Sequence, residues 1–120
     1  MGNPVMQFQI ISKQPDESAA FYCKLFGWKA SDNNALGYRT LDPQSKDGIS
    51  GGVWPCPPEG RPMVQIFVQV PDVGAHVAKA KGLGAQVVIP PSKLPDGDEM
   101  AVILDTDGMP VGLMKERRGA

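Results

Sequence analysis

The sequence is poor in the side chains that most often carry chemistry. Its 120 residues include one histidine, His76, and two cysteines, Cys23 and Cys56. His76 falls in a predicted helix that covers the outer side of a sheet, so a Ser-His-Asp or Cys-His arrangement would need another histidine. The cysteines lack the CxxC spacing of redox and metal sites, and we expect both to be free thiols.

The sequence also has little net charge and no long apolar run. The net charge is −1 and the Lys and Arg residues are scattered, which excludes a basic nucleic-acid-binding patch. No run of about 18 apolar residues exists, so no membrane span is expected. The first residues have neither a positive region nor an apolar core, so we predict no signal peptide and a cytoplasmic location. The length and the 42% hydrophobic content predict one compact domain.

Two stretches of the chain alternate with the period of a β-strand. Each has one aliphatic face and one face that carries glutamines. The glutamine-bearing faces consist of Gln7 and Gln9 in the first stretch and of Gln65, Phe67 and Gln69 in the second. Each stretch runs through a Pro-Asp pair into a helix-like segment that ends at a glycine. A unit therefore recurs after about half the chain.

The segments between these landmarks predict the same order in both halves, namely a strand, a helix and three strands. Module one covers about 5–54, a Pro-rich linker covers 55–62, and module two covers about 63–115. This order predicts a single α+β domain with a mixed, mainly antiparallel sheet and helices on its outer face.

Local patterns predict three details of these elements. Asp16 is a candidate N-cap of the first helix. Phe21 and Leu25, spaced i and i+4, predict one broad apolar face of that helix together with Tyr22 and Phe26. The strand 86–89 is expected to end before Pro90-Pro91, with a loop over 92–98.

Five short motifs follow one another in a fixed order. They are Phe21-Tyr22 before Leu25-Phe26-Gly27-Trp28, then Gly51-Gly52-Val53, Val70-Pro71-Asp72-Val73, Leu83-Gly84-Ala85, and Asp105-Thr106-Asp107-Gly108 leading into Val111-Gly112-Leu113. Their order and spacing, over about residues 5–115, resemble the vicinal oxygen chelate superfamily, also called the glyoxalase/bleomycin-resistance/dioxygenase group. The resemblance implies paired βαβββ modules that form a cupped sheet, frequent homodimers and, in many members, a divalent metal in the cup.

The family's metal-ligand positions are where this sequence departs from the resemblance. These positions fall on Gln7, about Gly51, Gln65 and Gly112. Glycine offers no ligand, and two neutral amide oxygens suit Zn²⁺, Ni²⁺ or Fe²⁺ poorly, because these ions prefer His, Cys or carboxylate. We therefore predict no metal on the usual residues and no other cofactor, while a metal held by unexpected ligands stays open.

A small-molecule pocket in the cup is the function that these residues predict. The candidate ligand-binding residues are Gln7, Gln9, Gln65 and Gln69 as a hydrogen-bonding floor, Phe67 for stacking, and Tyr38, Arg39 and Trp54 as walls. Arg39 could meet a ligand carboxylate. An open sheet face with solvated glutamines is the plain alternative.

Three functions fit this prediction. The first is a binding protein for a small, partly apolar molecule, without the usual metal, as in the drug-resistance branch of the family. The second is a lyase, isomerase or dioxygenase of the same superfamily, with or without a metal. The third is an interaction protein with a vestigial pocket. The sequence does not decide whether a reaction is catalysed.

Overall fold

A computed structural model describes residues 2–31, 39–94 and 98–115. Its elements are β1 Val5–Ser12, α1 Pro15–Phe26, β2 Lys29–Ala30, β3 Arg39–Asp42, β4 Gly51–Pro55, β5 Met63–Val70, α2 Val73–Gly82, β6 Gln86–Lys93, β7 Glu99–Leu104 and β8 Pro110–Lys115. The order βαβββ occurs twice, which confirms the predicted α+β class. Neither described helix is long and apolar enough to cross a membrane.

The chain divides into two compact units. The first unit is Gln7–Gln65, and the second unit comprises the residues before Gln7 and after Gln65. The division therefore falls inside β1 and β5 and not in the Pro-rich segment 55–62. The hydrogen-bonded strand order is β2-β3-β4-β1 in the first unit and β5-β8-β7-β6 in the second. Each unit has one parallel pair and two antiparallel pairs, as a mixed, mainly antiparallel sheet requires.

The core of the first unit lies between its sheet and α1. Ile10 of β1 and Val53 of β4 are partners in the parallel register, and both are buried there. Leu41 of β3 and Ala19 of α1 complete this cluster. Because successive strand residues point to opposite faces, these contacts fix which residues of β1, β3 and β4 face the helix.

The first helix begins and faces differently from the prediction. Pro15 occupies the first turn, and the N-cap is Gln14, which makes no side-chain capping bond. Gly27 ends the helix in the left-handed region, with φ of 73°. Of the four residues predicted to form the apolar face, Phe21, Leu25 and Phe26 are 58%, 59% and 54% exposed, so most of that face is not buried.

The core-facing side of α1 overlaps the predicted face at Tyr22. Tyr22 and Cys23 pack against the core cluster. The ring of Tyr22 stacks on Trp28, with centroids 5.9 Å apart and an interplanar angle of 14°. Two adjacent faces of this helix are apolar, and the position of Trp28 after the helix selects the one that is buried.

The core of the second unit lies between its sheet and α2. Val73 and Val77 of α2 pack on Val70, Ala101 and Leu113 of the strands. The Asp72 side chain caps α2 by accepting a hydrogen bond from the Ala75 amide at 3.0 Å.

The outer strand of the second unit is longer than predicted. β6 continues through Pro90 and Pro91 to Lys93, with register shifts between Val87 and Ile89 and between Ile89 and Ser92. β6 is the last strand in the order of its unit. Proline is tolerated at such an edge because its missing N–H does not interrupt a ladder, which explains how the strand continues past Pro90 and Pro91 into Ser92 and Lys93, the first two residues of the predicted loop.

Candidate functional site

The helix-free face of the first unit carries the amide residues that the sequence singled out. Ile10 faces α1, so Gln7 and Gln9 of β1 point to the opposite side of the sheet. Gln9 is opposite Gly52 in the parallel register, and Gly52 is opposite Thr40. We call this surface the amide face and define it by Gln7, Gln9, Ile11, Gly52, Trp54 and Gln65.

A hydrogen bond between two glutamine side chains lies at the centre of the amide face. The Gln65 Nε2 donates to the Gln9 Oε1 at 3.3 Å, across 56 residues of sequence. The two residues are only 9% and 5% exposed. Burying an amide costs free energy unless its donors and acceptors are satisfied, so this pairing explains how both side chains are tolerated.

The pairing leaves hydrogen-bonding capacity on both amides. A primary amide has two donor hydrogens and an acceptor oxygen with two lone pairs. The Gln9 nitrogen and the Gln65 oxygen make no side-chain hydrogen bond to any other described residue. No enclosed polar side-chain atom in the described ranges lacks a partner, so neither of these two atoms is fully enclosed.

Trp54 and Gln7 lie on the amide face beside this pair. Trp54 is opposite Ile11 in the register of β1 and β4 and is half-buried. Gln7 is also half-buried, and both residues have interaction partners in the protein. Four of the predicted site residues, Gln7, Gln9, Trp54 and Gln65, therefore share one surface of the first unit.

Arg39 lies on the opposite face, which corrects its predicted role as a wall residue. It is opposite Val53 in the antiparallel register, and Val53 faces α1. The Arg39 Nε donates to the Asp16 Oδ1 at 2.8 Å, and its Nη1 donates to the Ser31 carbonyl at 3.0 Å. Successive residues of β3 point to opposite faces of the sheet, so Arg39 faces α1 while Thr40 lies on the side of the amide face. The other predicted wall residue on this segment, Tyr38, lies outside the described residues.

In the second unit, Phe67 belongs to the protein core and not to an open wall. Its side chain is 1% exposed. It packs in an apolar group that we call the methionine cluster, consisting of Met6, Phe67, Leu94, Met100, Val102 and Met114. The predicted stacking surface is therefore covered in this structure. Gln69 is half-buried on the same side of β5, opposite Met114 in the register.

The methionine cluster was not predicted, although its signal is present in the sequence. Met100 and Val102 are two residues apart on β7, so they lie on the same face of that strand. Met114 of β8 is opposite Gln69 of β5. The same period-two pattern that marked the glutamine faces thus marks these residues too. Their spatial grouping requires the strand order β5-β8-β7, which the sequence alone does not state.

The glycines at the family's ligand positions are covered by phenylalanine rings. A Cβ atom added to Gly112 would lie 2.5 Å from the Cζ atom of Phe67. A Cβ atom added to Gly51 would likewise clash with the ring of Phe8. Gly51 is opposite Phe8 in the register and Phe8 packs on the core beneath α1, so this contact lies on the face turned toward α1. On the amide face, β4 presents Gly52 and Trp54 instead of Gly51.

This donor set does not fit a divalent metal. Of the four family positions, two are covered glycines and the other two, Gln7 and Gln65, provide neutral amides. Divalent transition metals prefer imidazole, thiolate or carboxylate ligands. Within residues 2–31, 39–94 and 98–115, no group of three or more His, Cys, Asp or Glu side chains is arranged to hold a metal ion.

Two further titratable groups of interest, His76 and Asp105, belong to the second unit. The His76 Nδ1 is 3.1 Å from the Asp72 carbonyl oxygen, at the start of α2. Asp105 lies in the turn between β7 and β8, where the backbone N–H groups of Met109 and Asp107 hold the pKa of its carboxyl below the ordinary value of 3.8.

Comparison with known proteins identifies a family for this sequence and structure. Residues 5–113 match the model of the Glyoxalase/Bleomycin resistance protein/Dioxygenase superfamily. The chain is also similar to CFP32 of Mycobacterium tuberculosis, which carries a glyoxylase name, with 31% identity over 111 residues. That alignment covers 89% of this chain and 42% of CFP32, so the chain spans less than half the length of this relative.

Solved structures of the same fold are similar to nearly the whole chain. Protein BH1468 from Bacillus halodurans has a TM-score of 0.71 at 14% identity, covering 100% of this chain and 99% of that one. A methylmalonyl-CoA epimerase in complex with methylmalonyl-CoA and NH4+ has a TM-score of 0.64 at 17% identity, covering 97% and 96%. At these identities the likeness shows the fold alone.

Proposed function

Because the chain belongs to the Glyoxalase/Bleomycin resistance protein/Dioxygenase superfamily, we propose that it binds a small, partly apolar molecule on the amide face, without the family's usual metal. The proposal rests on one observation, the buried hydrogen bond between Gln9 and Gln65. Two amides from distant parts of the sequence meet where aliphatic residues would pack at lower cost. A ligand that used their remaining donors and acceptor would account for them.

The surroundings of the amide pair supply the apolar part of the proposed site. Ile11 and Trp54 are adjacent on the same face and are both half-buried. Small-molecule sites usually combine apolar and aromatic walls with a few polar groups that orient the ligand. The amide face has this composition on a small scale.

A thermal-shift screen of small aromatic compounds tests the proposal. A ligand stabilises the folded state by about 2.7 kcal/mol when its concentration is a hundred times Kd. We expect hits whose shift falls strongly in Gln9→Met and Gln65→Met, which keep the side-chain length but remove the amides. Gln86→Met, an exposed glutamine on β6, is the matched control. Equal shifts in all three variants would place the ligand elsewhere.

An enzyme of the same superfamily is the second candidate, and the similarity to CFP32 favours it. Metal analysis separates our metal-free proposal from the metal-dependent form of this second candidate. Purified protein would be incubated with Ni²⁺, Zn²⁺, Mn²⁺ or Fe²⁺, dialysed, and assayed for retained metal. Our proposal expects substoichiometric metal, because Gln7 and Gln65 are weak ligands. Retention of one ion per chain would instead support a metal-dependent lyase, isomerase or dioxygenase.

A further inference from the structure

The amide face also indicates the charge of its ligand, on the premise that the proposed function is correct. The two atoms of the central pair that are unpaired and not fully enclosed are the Gln9 nitrogen, which is a donor, and the Gln65 oxygen, which is an acceptor. A partner that satisfies both must accept one hydrogen bond and donate another. A carboxylate accepts only, and an ammonium group donates only.

The described strands of the first unit carry three charged residues, Lys29, Arg39 and Asp42, and none of them lies beside this pair. Arg39 lies on the opposite side of the sheet and is bound to Asp16. Lys29 and Asp42 are opposite each other in the register of β2 and β3, and Asp42 shares the helix-free side with Thr40. β3 is two strands from β1, or about 10 Å, and both residues are exposed.

A charged ligand group at this pair would therefore lose its hydration without meeting an opposite charge from the described strands of the first unit. Transfer of an unpaired ion out of water costs much more than transfer of a neutral amide or carbonyl. From these placements we infer that the ligand is uncharged at the amide pair and carries a carboxamide, lactam or imide group. The aromatic or aliphatic body of the ligand lies toward Ile11 and Trp54.

Two probes of the same shape test this inference, 2-naphthamide and 2-naphthoate, titrated by calorimetry near neutral pH, where the second is an anion. We expect the amide to bind the wild-type protein at least roughly tenfold more tightly. In Gln9→Met this preference should fall to about twofold, while in the control Gln86→Met it should stay unchanged.

The other outcomes distinguish a failure of this inference from a failure of the proposed function. Naphthoate binding as tightly as naphthamide would overturn the inference and leave the binding proposal intact. A preference for naphthamide that persists in Gln9→Met would also overturn it, because the amide pair would not be the origin of the selectivity. If neither probe binds and the thermal-shift screen yields no hit, the proposed function itself fails.

Discussion

Gly112 shows how one missing side chain determines the position of a ring. A Cβ atom added to Gly112 would lie only 2.5 Å from the Cζ atom of Phe67, so the ring occupies the space that a side chain at position 112 would need. We expect Gly112→Ala to destabilise the protein by about 1–3 kcal/mol, because overpacking forces neighbouring groups to move. Urea denaturation measures the loss.

A control and a rescue make this expectation specific. A Cβ atom added to Gly48 would meet no other atom within 4 Å, so Gly48→Ala should change stability little. Adding Phe67→Leu to Gly112→Ala should cost less than the sum of the two single changes, since a smaller side chain leaves space. Additive costs would mean that the two positions do not compete for the same space.

Asp105, also a single residue, makes a pH-dependent contribution to the stability of the folded state. Its pKa is lowered because its carboxylate accepts hydrogen bonds from the Met109 and Asp107 amides. A carboxyl group whose pKa is lower in the folded state stabilises that state fully at pH values above its unfolded-state pKa. This stabilisation is lost as the pH falls through the folded-state pKa.

The melting temperatures of wild type and Asp105→Ala report this contribution. The wild type should be the more stable by a constant margin between about pH 7 and about pH 5, and the margin should shrink below about pH 4. Asp105→Asn keeps an acceptor oxygen and should lie between the two at neutral pH. A margin that persisted unchanged in acid would contradict the role of the charge.

The two helices begin with different caps, and this difference belongs to the scale of the element. Asp72 accepts a hydrogen bond from the Ala75 amide, whereas Gln14 makes no side-chain capping bond. Asp72→Ala should therefore cost about 0.5–2 kcal/mol, and Gln14→Ala should cost clearly less. Chemical denaturation of both variants gives the comparison, and equal costs would show that the cap of α2 has no special importance.

The exposed side of α1 gives a second prediction at this scale. Leu25 is 59% exposed, and Leu41 of β3 is 1% exposed. The same change, leucine to alanine, should cost well under 1 kcal/mol at position 25 and about 2–5 kcal/mol at position 41. Similar losses at both positions would contradict the orientation of α1 described above.

For the whole molecule, the fold followed from the sequence more readily than the site did. Period-two stretches such as 65–70 and glycine stops such as Gly27 were enough to predict two βαβββ modules. The resemblance to the superfamily rested on motif order and agrees with the family match over residues 5–113. These signals are local and repeated, so an error in one of them does not change the result.

The site depended on relations that local patterns do not contain. Whether Arg39 points to the amide face depends on its register with Val53, and a shift of one residue reverses the answer. The burial of Phe67 depends on methionines from three different strands. The bond between Gln9 and Gln65 joins residues that are distant in sequence, so periodicity gave their faces but not their contact.

The prolines of β6 have a consequence for the behaviour of the protein at high concentration. An unpaired strand edge invites pairing with another molecule, and Pro90, Pro91 and the two register shifts interrupt the row of N–H donors along this one. Growth of the sheet from molecule to molecule is thereby disfavoured at this edge. If the protein forms the homodimer that the superfamily resemblance suggests, its two copies should meet through side chains on another surface.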